Sequence, residues 1–205
     1  MTAIKAIQTE YNGHIFRSRL EARWAVFFDA CGARWDYELE GYDLGYDIKY
    51  LPDFFLRNVK GIDGGKLYVE VKGEITGSDV IKIKLFERLG MHKENGVIKR
   101  DSPILVLTSI PKGDEISEIA WHIRQAGIDQ ISSNQRLLMM PFFFGHIDDT
   151  LDIAMPGVNI NGEFEIFRLD FDLNPIENMD IVRTERAYRL ARQARFEFGE
   201  TPKII

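Results

Sequence analysis

Two carboxylates and one ammonium group occur at a spacing that could support metal-dependent hydrolysis of a phosphodiester. Asp53 follows Pro52, and sixteen residues separate it from Glu70, which is followed by Lys72 at the second position. Hard cations such as Mg²⁺ prefer oxygen ligands, commonly one or two carboxylates together with water and substrate phosphate. The metal activates a bound water, and a nearby lysine can stabilise the charge that develops. These residues therefore predict a catalytic metal site.

Side-chain alternation along a strand places Glu70 and Lys72 on the same face. At a rise of about 3.3 Å per residue, their Cα atoms lie about 7 Å apart. The opposite face is apolar and carries Leu67, Val69 and Val71. The alternative is a surface ion pair on an exposed strand. It explains less well why an apolar strand holds both charges beside a strand that contains Pro52 and Asp53.

Hydrophobic periodicity and turn residues indicate the elements that must position these side chains. The first part reads as a helix, three strands, a helix and a strand, at about 17–31, 34–39, 50–57, 66–72, 78–89 and 104–109. Gly32 ends the first helix, and Gly61, Gly64 and Gly65 turn the chain between the second and third strands. This order is typical of an α/β sandwich with helices packed against a mixed central sheet.

The rest of the chain is predicted to be an α+β elaboration packed on this core. It reads as a helix, two strands and a final arginine-rich helix, at about 116–126, 136–144, 163–173 and 181–198. We therefore divide the chain into a core at 1–114 and an elaboration at 115–205. The arginines of the last helix wind around it at 100° per residue. Ion pairs to Glu185 and Glu197 are thus favoured over a DNA-gripping arm.

Composition limits the class of protein. The single cysteine, Cys31, excludes a disulfide framework and a cysteine-based zinc site, which fits a reducing cytoplasmic compartment. No apolar segment is long enough to cross a membrane, and the N-terminus lacks the apolar stretch of a signal peptide. The net charge of −6 counts against strong non-specific binding to nucleic acid, although bound metal ions would offset part of it locally.

Three segments together resemble the PD-(D/E)XK, or restriction-endonuclease-like, nucleases, and most closely the small versions found in phages and mobile elements. They are FRSRLEARWAVFF at 16–28, YLPDFF at 50–55 and YVEVKG at 68–73. The resemblance covers roughly residues 10–110. It implies a restriction-endonuclease-like core, cleavage of DNA with Mg²⁺ or Mn²⁺, and a phage-encoded or prophage-encoded protein in the bacterial cytoplasm.

The resemblance also implies a role for each matching residue. Asp53 and Glu70 would bind the metal, and the backbone carbonyl of Val71 would be a further ligand. Glu21 would contribute to the metal site directly or through water, and Lys72 would be catalytic. By itself, Glu21 lies at the border of the apolar stripe of its helix and would be interpreted as a solvated residue.

Several alternatives stay open at this point. Arg17, Arg19 and Arg23 could contact nucleic-acid phosphates, or could be ordinary solvated helix charges. The protein could be a catalytically silent nuclease fold that binds DNA or a protein partner, or it could cleave RNA. The C-terminal elaboration could instead form a homodimer contact.

Overall fold

The computed structural model describes residues 7–94, 97–100, 103–133, 154–168 and 178–196. Its helices are α1 (Arg19–Ala30), α2 (Gly77–Leu89), α3 (Ile116–Ser133) and α4 (Ile181–Gln193). Its strands are β1 (Thr9–Tyr11), β2 (His14–Phe16), β3 (Arg34–Tyr37), β4 (Tyr42–Asp43), β5 (Lys49–Tyr50), β6 (Phe54–Arg57), β7 (Lys66–Val71), β8 (Met91–Glu94), β9 (Val97–Arg100), β10 (Ile104–Leu107), β11 (Ala154–Val158) and β12 (Phe164–Arg168). The strand predicted at 136–144 lies outside the described residues, as do the ends of the elements predicted at 163–173 and 181–198.

A mixed four-stranded sheet with the order β10-β7-β6-β3 organises the N-terminal part. Strands β7 and β10 are parallel, as expected for two strands joined through a helix, and the other neighbours are antiparallel. In the β6–β7 register Phe54 faces Val69, so the next position sets Asp53 opposite Glu70. Long-range pairing therefore brings together two carboxylates that are far apart in sequence.

Helices cover both faces of this sheet. The apolar residues of β7 (Leu67, Val69 and Val71) are buried in one cluster with α1. Tyr68, on the opposite face, packs on a second cluster with Val80, Ile83 and Phe86 of α2. The alternation predicted for this strand is thus observed, and the predicted α/β architecture, a mixed sheet flanked by helices, is confirmed.

Helix α1 has the boundaries that its terminal residues favour. The Ser18 side chain caps it by accepting a hydrogen bond from the Glu21 N–H. After Cys31 the chain turns at Gly32, whose φ of 70° is easily adopted only by glycine. Trp24, Phe27 and Phe28 of α1 lie in the core, so burial of one face stabilises the helix.

The single strand predicted at 50–57 is wrong. Tyr50 ends β5, which forms a small hairpin with β4, whereas β6 begins only at Phe54 and belongs to the main sheet. Pro52 lies between them and has no N–H to donate to a sheet ladder. The break lets the hairpin bend away from the main sheet, so that Tyr50 reaches Glu70.

The C-terminal helix packs on α1, with Tyr188 between Trp24 and Phe27. Two of its charged residues, Glu185 and Arg192, make contacts outside the helix. The Glu185 carboxylate accepts a hydrogen bond from the Ile116 N–H at 2.9 Å, and Arg192 donates to the Pro111 carbonyl at 3.2 Å. Packing against α1 turns the polar side of α4 toward the start of α3, where these partners lie. Glu197 lies outside the described residues.

The described residues contain no helix that is long and apolar enough to span a membrane.

Replacing Trp24 by phenylalanine is expected to lower the free energy of unfolding by about 1–3 kcal/mol. The indole Nε1 donates to the Thr108 carbonyl at 2.8 Å, and the side chain is only 2% exposed. The substitution removes this bond between α1 and the end of β10 and leaves a small cavity. Urea denaturation of Trp24→Phe and of Trp121→Phe, whose side chain is 50% exposed, measures the effect. Equal losses in the two variants would contradict it.

Candidate active site

Asp53, Glu70 and Lys72 meet where β6 begins and β7 ends. Both carboxylates are buried, with exposures of 2% for Asp53 and 4% for Glu70. Glu70 and Lys72 line a groove of about 480 Å³, which Tyr50 and Asp79 also line. The three residues that the sequence singled out therefore lie together: Glu70 and Lys72 line the groove, and Asp53, which is not among the described lining residues, lies opposite Glu70 immediately before the neighbouring strand.

The carboxylate of Glu70 is held by a partner on each oxygen. Tyr50 donates its hydroxyl to Oε2 at 2.8 Å, and the Lys72 ammonium lies 2.8 Å from Oε1. Burial and the adjacent Glu70 charge raise the pKa of Tyr50, so the phenol keeps its proton and stays a donor. Sequence reasoning missed Tyr50, and the only signal available was its position three residues before Asp53.

The carboxylate of Asp53 is also held on both sides. Its Oδ2 accepts the Val71 N–H at 2.6 Å, and its Oδ1 pairs with the Arg17 guanidinium. Burial raises the pKa of Asp53 to about 7, and the nearby Glu70 adds to this, although Val71 and Arg17 act in the opposite direction. For Asp53, the unfavourable effects of burial and of the Glu70 charge therefore outweigh the favourable contacts with Val71 and Arg17.

The direction of the Val71 backbone carbonyl decides whether it could be a metal ligand, as the resemblance implies. In a strand, the N–H and C=O groups of one residue point toward the same neighbouring strand. Since the Val71 N–H reaches Asp53, its carbonyl lies on the Asp53 side of β7. A metal held by Asp53 could therefore use this carbonyl as well.

Lys72 is a fixed positive charge at the edge of the groove. Its ammonium lies 2.8 Å from Glu70 and 3.4 Å from Asp79 of α2. Desolvation lowers the pKa of Lys72, but the two carboxylates outweigh it and raise the pKa overall. The side chain therefore stays protonated at neutral pH and can stabilise negative charge, but it cannot accept a proton.

Asp79 is a second residue that sequence reasoning missed. It lies in a capping box at the start of α2, where its side chain accepts from the Thr76 N–H at 2.9 Å. Burial raises the pKa of Asp79, but the hydrogen bonds from Thr76 and the charge of Lys72 lower it overall. The sequence pattern Thr-x-x-Asp at 76–79 could have identified the cap, but not the contact with Lys72.

Glu21 is buried, so its interpretation as a solvated helix residue is wrong. Its oxygens accept from the Ser18 hydroxyl at 2.6 Å, the Tyr37 hydroxyl at 2.5 Å and the Arg17 N–H at 3.2 Å. With Ser18 it forms the Ser-x-x-Glu pattern of a capping box, a signal that is visible in the sequence. Its charge contributes to the raised pKa of Asp53, so it lies within electrostatic reach of the site.

The three arginines considered as phosphate contacts lie in different environments. Arg17 is exposed and lines the groove, and its guanidinium also pairs with Glu38 at 2.7 Å. Arg19 and Arg23 lie half-buried on α1, and neither belongs to the described lining of the groove. Of the three, the structure brings only Arg17 to the candidate site.

The donor set fits a hard divalent cation, although it is not arranged as a closed metal site. Among the described residues, no group of three or more His, Cys, Asp or Glu side chains is positioned to hold a metal. Mg²⁺ commonly needs only one or two carboxylates and completes its coordination with water and substrate phosphate. Asp53 and Glu70 supply that number, and both already attract cationic side chains.

Comparison of the chain with family models, with curated proteins and with solved structures gave no match. The functional interpretation therefore rests on the residues of this chain and on the geometry that the fold gives them.

Proposed function

We propose that this protein is a metal-dependent nuclease with a restriction-endonuclease-like core that hydrolyses DNA phosphodiester bonds. The observation that carries the proposal is the pair of buried carboxylates, Asp53 and Glu70, beside the charged Lys72 at a groove. Placing two acidic groups together out of water is unfavourable for folding. Binding of a divalent cation would give this arrangement a function, because the cation would neutralise the two carboxylates.

The residues divide the chemistry among them. Asp53, Glu70 and the Val71 carbonyl would hold Mg²⁺ or Mn²⁺, and Glu21 would support the site through its charge. When bound, the metal would polarise the phosphate and lower the pKa of a bound water. Lys72 keeps a positive charge beside Glu70, where it can orient the attacking water and stabilise charge on the phosphate.

The groove itself suits a polyanion despite the net charge of −6. Its lining includes four cationic residues (Arg17, Lys49, Lys72 and Lys82) and three acidic ones (Asp43, Glu70 and Asp79). Cationic side chains that lie along a groove attract phosphates whatever the base sequence. The described lining therefore has a small excess of positive charge, although the chain as a whole is acidic.

One observation favours a second candidate, a nuclease fold that binds DNA or a protein partner without cutting. Every oxygen of Asp53 and Glu70 already has a partner, so the network is satisfied without a metal. Cleavage of RNA is a further alternative, because nothing described in the groove distinguishes ribose from deoxyribose. A role in phage DNA processing is supported only by the sequence resemblance.

A cleavage panel with purified protein tests the proposal. The substrates are linear and supercoiled duplex, flap, four-way junction and single-stranded DNA, with matched RNA, in Mg²⁺, Mn²⁺ or EDTA. We expect cleavage of DNA that requires metal and is lost in Asp53→Asn. Persistent binding without strand scission on any substrate would favour the non-cleaving alternative. Cleavage that survives in EDTA would contradict the metal-dependent mechanism.

A further inference from the structure

The guanidinium group of Arg17 occupies a place where the site needs a cation. It pairs with Oδ1 of Asp53 and, at 2.7 Å, with Oε1 of Glu38. The Arg17 side chain is 53% exposed, whereas that of Asp53 is 3% exposed. The arginine can therefore turn into solvent without opening the core, and the aspartate cannot follow it.

A divalent cation at Asp53 would compete with this arginine. The second oxygen of Asp53, Oδ2, is engaged by the Val71 N–H, which leaves Oδ1 as the oxygen available to a metal. Two positive charges that share one carboxylate oxygen repel each other strongly in a partly buried site. Binding of a metal at Oδ1 should therefore displace the Arg17 guanidinium.

Only the side chain of Arg17 would have to move. Its backbone N–H is fixed by Glu21 at 3.2 Å and by the Tyr37 hydroxyl at 3.1 Å, just before α1 begins. The released side chain would remain in the groove that Lys72 and Lys82 also line. A guanidinium is well suited to contact a phosphate there through paired hydrogen bonds.

We infer that Arg17 is a positioning residue with two alternating partners. In the metal-free protein it is the counter-ion of Asp53, and when a divalent cation binds it is displaced into the groove, where it contacts a phosphate of the substrate. This inference rests on the proposed function, because it assumes a metal at Asp53 and a nucleic acid in the groove. It makes Arg17 a competitor of the metal and a partner of the substrate.

The two roles give effects of opposite sign. Removing the arginine should strengthen metal binding, since the competing cation is gone, and should weaken DNA binding, since a phosphate contact is lost. An arginine that only stabilised the fold would weaken both when it is removed.

Calorimetric titration of Mg²⁺ into wild type and Arg17→Gln measures the first effect. At about pH 8.5, which limits proton competition at the carboxylates, we expect Arg17→Gln to bind Mg²⁺ about fivefold to tenfold more tightly. The matched control is Arg57→Gln, which removes another partly exposed arginine paired with an aspartate, Asp36, and not part of the groove lining. Its Mg²⁺ affinity should equal that of wild type.

Fluorescence anisotropy with a short labelled DNA duplex measures the second effect, with Ca²⁺ in place of Mg²⁺. Arg17→Gln should bind the duplex at least about fivefold more weakly than wild type and Arg57→Gln. Arg17→Lys keeps a positive charge but loses the paired donors, so both of its affinities should lie between those of wild type and Arg17→Gln. This variant tests the inference if Arg17→Gln does not fold.

The outcomes separate the inference from the proposed function. An unchanged or weaker Mg²⁺ affinity in folded Arg17→Gln would overturn the competition, even if wild type cleaves DNA. Tighter Mg²⁺ binding with unchanged DNA affinity would overturn the phosphate contact. If neither wild type nor Arg17→Gln binds Mg²⁺, the inference and the metal-dependent function both fail. If the Mg²⁺ and DNA affinities change as expected but no substrate is cut, only the proposed hydrolysis fails.

Discussion

Replacing Lys72 by alanine is expected to slow metal-dependent cleavage by about 10²–10⁴-fold without loss of Mg²⁺ affinity. The Lys72 ammonium is held by Glu70 and Asp79 and stays charged, so its contribution is a fixed positive charge beside the reacting phosphate. Metal binding should persist because Lys72 is not a ligand. Its removal also takes away a cation that competes with the metal for Glu70.

Single-turnover cleavage and calorimetric Mg²⁺ titration of the same preparation measure the two quantities. The matched control is Lys82→Ala, because Lys82 lines the same groove on α2. Loss of one phosphate contact should slow this control far less than Lys72→Ala. Lys72→Arg should recover part of the rate, since it restores the charge with a different geometry. Full cleavage by Lys72→Ala would remove the lysine from the mechanism.

Replacing Asp53 by asparagine is expected to abolish cleavage and yet to stabilise the metal-free protein above neutral pH. Burial and the neighbouring Glu70 raise the pKa of Asp53 from 3.8 to about 7 in the folded state. The folded protein therefore binds this proton more tightly than the unfolded chain does. The resulting stabilisation is fully present below about pH 4 and is lost as the pH rises through about 7.

The asparagine side chain has nearly the same shape and stays neutral throughout this range. In EDTA, we expect Asp53→Asn to exceed wild type in free energy of unfolding by about 1–3 kcal/mol at pH 8.5. The difference should nearly vanish only at about pH 3.5, where Asp53 of wild type is protonated in the folded protein and mostly protonated in the unfolded chain. Chemical denaturation at the two pH values provides the measurement. A variant less stable than wild type at pH 8.5 would show that the ionised carboxylate is well compensated by Arg17 and Val71.

Much of the local structure follows from the sequence alone. Alternation of apolar and polar residues defines which side chains of β7 share a face, so Glu70 and Lys72 could be placed on the same side before any tertiary contact was known. The apolar stripe of α1, with Gly32 after it, similarly defines the helix and its end. These features are encoded within a few residues of each other, where side-chain periodicity and backbone preferences act directly.

The partners of the site residues were decided by the tertiary structure. Pairing between strands depends on which segments of the whole chain pack together, so the pattern within each strand did not show that the register sets Asp53 opposite Glu70. The sequence pattern predicted one strand across Pro52 and so did not reveal the β4–β5 hairpin. In the structure, Tyr50 of this hairpin donates a hydrogen bond to Glu70. The contact between Arg17 and Asp53 joins the start of α1 to the start of β6.

The sequence by itself therefore determined the residue types of the candidate site and the faces on which they lie. Only the tertiary structure decided that Asp53 and Glu70 are buried together and that Arg17 and Lys72 compensate them. The physical reason is the range of the interactions. Periodicity and capping act within one element, whereas desolvation and charge pairing depend on which elements the whole chain packs against each other.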